Sequence, residues 1–237
     1  MELLIKGSTE LNKMFAALQR TATSLRHDFG EVESLQQSLR GARDFVAKAA
    51  SRIEESIVSD LMLVRPSAGL LTPNMSRTGD GRDEFVLALS GASNFVRANP
   101  HFAISLALRS NDQTKIGLIY CPIDERLYYA EAGRGAYAFS AFHSARIKVS
   151  NIVNRDQATI AYNTAVMPMG AARPDQVRVT GCPALDMAWV AAGRFDAYVS
   201  DYLDFAEIAA AELMVQEAGG LITQGADLIV SNGKVEL

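Results

Sequence analysis

The chain is predicted to be an α/β (α+β) protein, and three observations carry the prediction. The first third repeats apolar residues at helical spacing, the middle breaks into short β-branched and aromatic segments, and the last third alternates strand and helix patterns. With 237 residues and 49% hydrophobic content, it can bury a substantial core. Residues 1–150 are expected to form N-terminal helices plus a large antiparallel β-sheet half, and residues 151–237 a C-terminal α/β half. Together they make one compact unit.

The clearest helix is expected over residues 44–61, where Phe45, Ala49, Ile53, Ile57 and Leu61 recur at spacing four. Upstream, Leu11, Met14, Leu18, Thr21 and Leu25 mark a first helix that ends near His27, with Gly30 as its stop signal. From Glu84 onward, strands are expected at 85–89, 102–108, 115–120, 127–130, 136–139 and 147–149. Gly133-Arg134-Gly135 fits a hairpin turn better than a phosphate cradle, which would open a helix. The last third reads as a strand at 159–163, a helix at 184–192, a strand at 196–200 and a helix at 207–218 ended by Gly219-Gly220.

Composition narrows the function. A formal net charge of −4 gives no general attraction to phosphate backbones or anionic membranes, so direct nucleic-acid binding is not expected. No run approaches the eighteen apolar residues of a membrane span, and the N-terminus lacks a signal-peptide pattern, so the expected location is cytoplasmic. Cys121 and Cys182 lack metal or redox spacing and read as reduced core thiols. His101 reads as a structural histidine and Asp186 as a capping or supporting carboxylate. Trp189, Tyr128, Tyr129, Phe102 and Phe205 read as core aromatics. No nucleophile elbow, Walker-type loop or G-x-G-x-x-G after a strand is present.

Four ordered blocks resemble the inositol monophosphatase family, including its bacterial extragenic-suppressor branch. Ser93-Asn94-Phe95-Val96 followed by Pro100-His101-Phe102-Ala103-Ile104-Ser105 is similar to the family's T-N-F-V…P-H-F-A-I-S stretch. Tyr120-Cys121-Pro122 with Asp124-Glu125, and then Gly133-Arg134-Gly135-Ala136, resembles its Y-N-P-x-x-D-E…G-x-G-A. Gly181-Cys182-Pro183-Ala184-Leu185-Asp186 with Ala192-Gly193-Arg194-Phe195-Asp196 resembles G-S-A-A-L-D…A-G-R-F-D, and Ala206-Glu207-Ile208-Ala209-Ala210 with Glu217-Ala218-Gly219-Gly220 resembles W-D-I-A-A…E-A-G-G. The resemblance implies a layered αβαβα sandwich of the inositol monophosphatase and fructose-1,6-bisphosphatase type. It also implies phosphate monoester hydrolysis at two or three Mg²⁺ ions, which need several carboxylates around them.

The residues at the implied working positions differ from the family's. In the segment 86–95, the two aspartates of D-P-[IL]-D-G-T-T-N-F fall on Leu87 and Ser90, and the water-positioning threonine falls on Ala92. The ligand glutamate of G-E-E falls on Pro73, and the threonine and aspartate of the D-x-V-T-x-A-D helix fall on Ala47 and Ala50. Glu207 stands where the W-D aspartate would, and Ser200 stands at the substrate-side acid. The resemblance therefore implies no catalytic group at Ala47, Ala50 and Ala92 and no metal cluster at Pro73, Leu87, Ser90 and Glu207. A vestigial pocket is expected at Gly91, Ser93, Asn94, Pro183, Ser200 and Glu207. Asp80, Asp83, Glu84, Asp201 and Asp204 read as solvated loop charges. The turn between Thr223 and Leu228 is short for the family.

The expected function is that of a catalytically impaired or inactive pseudo-phosphatase acting as a binding or regulatory protein. No cofactor is expected on this reading. One alternative is a Mg-dependent inositol phosphate or sugar phosphate monoesterase with unconventional ligands, for which Mg²⁺ would be the cofactor. Another is a small-molecule sensor using the vacated pocket. By resemblance alone, the partners are a second copy in a homodimer and a protein of the transcription machinery.

Overall fold

The computed structural model describes residues 5–34, 39–73, 76–79, 82–140, 143–163, 176–201 and 204–237. Two helices open the chain, α1 (Thr9–Ser34) and α2 (Leu39–Val64), and pack against one another. Next come strands β1 (Gly69–Thr72), β2 (Ser76–Thr78) and β3 (Asp83–Ser90), a short helix α3 (Ala92–Val96), and strands β4 (Ala103–Ser110) and β5 (Gln113–Cys121). Strands β6 (Arg126–Glu131), β7 (Gly135–Ser140) and β8 (His143–Ile147) complete a sheet ordered β2-β1-β3-β4-β5-β6-β7-β8. After a 3₁₀ turn at Arg155–Gln157 come β9 (Thr159–Tyr162), β10 (Gln176–Arg178), α4 (Pro183–Ala191), β11 (Ala197–Ser200), α5 (Phe205–Glu217), β12 (Leu221–Gln224) and β13 (Leu228–Ser231). Their strands form a second sheet ordered β10-β9-β11-β13-β12.

Strand pleating explains the layering, because successive side chains leave opposite faces. On β3, Phe85 and Leu87 point into a core closed by α1 and α2 through Leu11, Phe15, Leu18, Ile57 and Leu61. Val86 and Ala88 point the other way, into a core shared with α4, α5 and the inner face of the second sheet. The outer face of that sheet carries its own cluster of Ala158, Ile160, Tyr162, Ala197 and Val199. Helix α5 lies close to the first sheet because both surfaces are small where they meet. A side chain at Gly117 of β5 would place its Cβ 2.6 Å from the Ala210 carbonyl oxygen.

Several expectations change. Helix α1 runs through Gly30 to Ser34, because Phe29 stacks against Phe95 (5.9 Å) and Phe102 (5.5 Å) and Val32 is buried. Tertiary packing outweighs the roughly 1 kcal/mol helix penalty of a glycine. Strands β1 and β2 lie in a stretch with no predicted element, and β10, β12 and β13 likewise had none. All five are three or four residues long, too short to display a period. Gly133-Arg134-Gly135 does form the β6–β7 hairpin turn. The short turn after Thr223 joins β12 to β13 in an antiparallel pair, with Gln224 opposite Leu228.

Candidate functional site

The β3 pleat separates the two positions expected to carry aspartates. Leu87 is 1% exposed and faces the α1/α2 core. Ser90, fully buried, turns to the opposite layer, where its hydroxyl donates to Glu207 Oε2 (2.9 Å) and accepts from the Ala184 backbone N–H (3.2 Å). Cys182 Sγ lies 3.5 Å from the Ser90 carbonyl oxygen, and burial pushes this thiol up to about 12. A hydroxyl that is buried and bonded on both sides is not an available nucleophile. Burial raises the Glu207 carboxyl above the usual range. The Ser90 hydrogen bond opposes that rise and Asp204 adds to it.

Beside this pair opens a cavity of about 360 Å³. Gly91, Ala92 and Ser93 reach it from the turn after β3, where Gly91 adopts φ 80° to start α3. Pro183 and Asp186 reach it from the first turn of α4, and Asp204 and Glu207 from the start of α5, where the Asp204 carboxylate caps the helix by accepting from the Ala206 N–H (2.9 Å). Tyr162 and Tyr198 supply aromatic wall from the second sheet. The cavity thus gathers Gly91, Ala92, Ser93, Pro183 and Glu207 from the sequence-based set.

Others lie elsewhere. Asn94 spans two loops, its Nδ2 donating to the carbonyls of His101 (2.7 Å) and Thr180 (2.8 Å). Ser200 is fully buried behind the wall and accepts from Asn163 Nδ2 (3.3 Å). Leu87 and Pro73 do not line the cavity, and Ala47 is exposed on α2. The side chain of Ala50 lies outside the described residues. Sequence reasoning missed Tyr162, Tyr198 and Asn163, whose strand pattern is that of any half-buried sheet residue.

Asp186 is not a helix cap. It is 1% exposed and accepts from Thr180 Oγ1 (2.6 and 2.7 Å), while His101 Nε2 stands 3.9 Å from its Oδ1. Burial raises the Asp186 carboxyl, against the opposing effects of His101 and Thr180. The loop acids are also not simply solvated. Asp83 pairs with Arg65 (3.2 Å), and Glu84, 1% exposed, pairs with Arg109 (2.5 Å). Asp201 accepts from Asn163 Nδ2 (3.2 Å). Asp80 lies outside the described residues. Trp189, expected in the core, is half-buried against His101.

Residues 8–230 match the inositol monophosphatase family. The chain belongs to that family. It is 35% identical to an inositol-1-monophosphatase of Caulobacter vibrioides, covering 92% of this chain and 94% of that one. It is 31% identical to the Nus factor SuhB of Pasteurella multocida, covering 90% of this chain and 84% of that one. Among solved structures, the extragenic suppressor protein suhB from Bartonella henselae superposes with a TM-score of 0.83 at 32% identity, over 96% of this chain and 95% of that one. The fold is therefore the family's layered sandwich.

Membership corrects one expectation. The absence of any cofactor does not stand, because family kinship and relatives named inositol-1-monophosphatase point to a divalent metal. The residues at the implied ligand positions do not fit a cluster of two or three ions: Pro73 and Leu87 offer no side-chain oxygen, and Ser90 is bonded to Glu207. Among the described residues, no three His, Cys, Asp or Glu side chains stand together as ligands for one ion. The acidic residues along the cavity wall are Glu207, Asp204 and the buried Asp186, whose carboxylate is held by Thr180. Among the described residues, no helix is long and apolar enough to cross a membrane.

Proposed function

We propose that this chain is a catalytically impaired member of the inositol monophosphatase family, a pseudo-phosphatase that acts by binding. The observation that carries the reading is the fate of β3. Leu87 is committed to the α1/α2 core, and Ser90 has its hydroxyl bonded to Glu207 and Ala184. Phosphate monoester hydrolysis in this family requires several anions to hold the charge of its metal ions. Here the buried residues that β3 turns into the α1/α2 core are Phe85 and Leu87. The relatives named Nus factor SuhB support a regulatory role with a partner in the transcription machinery; a homodimer in the cytoplasm belongs to the same proposal, by family analogy alone. The net charge of −4 favours a protein partner over direct nucleic-acid binding.

A second reading is favoured by the relatives named inositol-1-monophosphatase: a Mg-dependent phosphatase working with the carboxylates of the cavity wall. Hydrolysis of inositol 1-phosphate in the presence of Mg²⁺ or Mn²⁺ separates the two. Turnover no faster than the protein-free blank is expected, and saturable, metal-dependent turnover overturns the pseudo-phosphatase reading. A thermal-shift series with inositols and sugar phosphates tests the cavity as a sensor site, a stabilising ligand being expected only if the cavity is used for recognition.

A further inference from the structure

On the other side of α4 lies a second cavity, of about 260 Å³. The helix divides its residues between the two spaces: Pro183 and Asp186 face the first, whereas Leu185 and Trp189, one turn apart, face the second. One wall of the second cavity is a rigid aromatic corner. Trp189 Nε1 donates to the Tyr128 hydroxyl (3.1 Å), and the Arg194 guanidinium stands over both rings, 5.8 Å from Tyr128 and 5.7 Å from Trp189. Arg126 also lines the space, and among the described residues that line it two guanidiniums stand with one carboxylate, that of Asp124. His101 borders it too, its buried Nε2 turned to Asp186 Oδ1 at 3.9 Å.

We infer that this cavity binds a small organic anion with a flat apolar body, its charge held by Arg126 and Arg194 and its body against Tyr128 and Trp189. A guanidinium binds a carboxylate through two parallel hydrogen bonds and stacks on aromatic faces, which suits both parts of such a ligand. The volume lies below the roughly 300–1,000 Å³ of pockets for drug-sized ligands, so the ligand is compact.

The chain's single tryptophan is Trp189, so intrinsic fluorescence reports directly on this wall. Titration of the full chain with benzoate is expected to quench it saturably. Benzyl alcohol, which has the flat body without the charge, and inorganic phosphate, which has charge without the body, are expected to bind at least tenfold more weakly. Arg194 is exposed, so Arg194→Gln leaves the core intact and is expected to weaken benzoate at least tenfold, and Arg126→Gln similarly. The inference is overturned by an absent or non-saturating response to benzoate, by a titration unchanged in both variants, or by phosphate or benzyl alcohol binding as tightly as benzoate.

Discussion

Ser90 donates a hydrogen bond to Glu207 over 2.9 Å, joining the end of β3 to the first turn of α5 across 117 residues of sequence. Through it, the last carboxylate at the family's implied ligand positions is engaged by a neighbouring side chain. Ser90→Ala removes that donor from a half-buried carboxylate and the acceptor from the Ala184 N–H. We expect a loss of about 1–3 kcal/mol in stability, read by urea unfolding. A change near zero would mean that the hydroxyl is not the partner that holds Glu207.

Glu207 has a raised carboxyl value because of burial, and this fixes the sign of a pH effect. From the ordinary carboxylate range upward, the unfolded chain releases a proton that the folded chain still holds, so stability falls as pH rises until the folded value is passed. Glu207→Gln keeps an acceptor for Ser90 and removes the titration. The variant is expected to gain melting temperature relative to the parent as pH rises from 4.5 to 7.5, in a series at constant ionic strength. A difference that stays flat or shrinks with pH contradicts the burial argument.

How much of this was legible beforehand depends on the range of the interaction. The Gly133-Arg134-Gly135 hairpin is a local event, since both glycines take positive φ (74° and 88°), and the glycines alone announce it. The end of α1 is not local. Gly30 reads as a stop signal, but Phe29 is held by Phe95 and Phe102, far along the chain. In the site, Glu207 and Gly91 are found through motif spacing. The burial of Asp186 is set by Thr180 and His101, and the aromatic wall of Tyr162 and Tyr198 is set by how the second sheet packs on α4 and α5. The first leaves no signature in the sequence of α4, and the second none in strands of four residues.

Leu87 offers a test of the apolar layer. Leu87→Asp puts a carboxylate at a position 1% exposed among Phe85, Leu106 and the α1/α2 side chains. The expected cost is at least ~3 kcal/mol, because a buried charge without a partner is the costliest of single changes. Chemical denaturation measures it. Near-parental stability would mean that this layer accommodates an anion.

Glu217 closes the far end of α5. Its two carboxylate oxygens accept from the backbone N–H groups of Gly133 (2.6 Å) and Gly135 (2.7 Å), clamping the β6–β7 turn. Glu217→Ala is expected to cost about 1–3 kcal/mol and to speed amide hydrogen exchange at both glycines. Unchanged exchange there would show that the turn holds itself.

Whether the family's hydrolytic chemistry is impaired in this chain is decided by one assay. Release of inorganic phosphate from inositol 1-phosphate is measured with purified protein while Mg²⁺ is raised to saturation. The expected rate is indistinguishable from the protein-free blank at every metal concentration. A rate that rises saturably with both Mg²⁺ and substrate, and falls in Glu207→Gln, would contradict it.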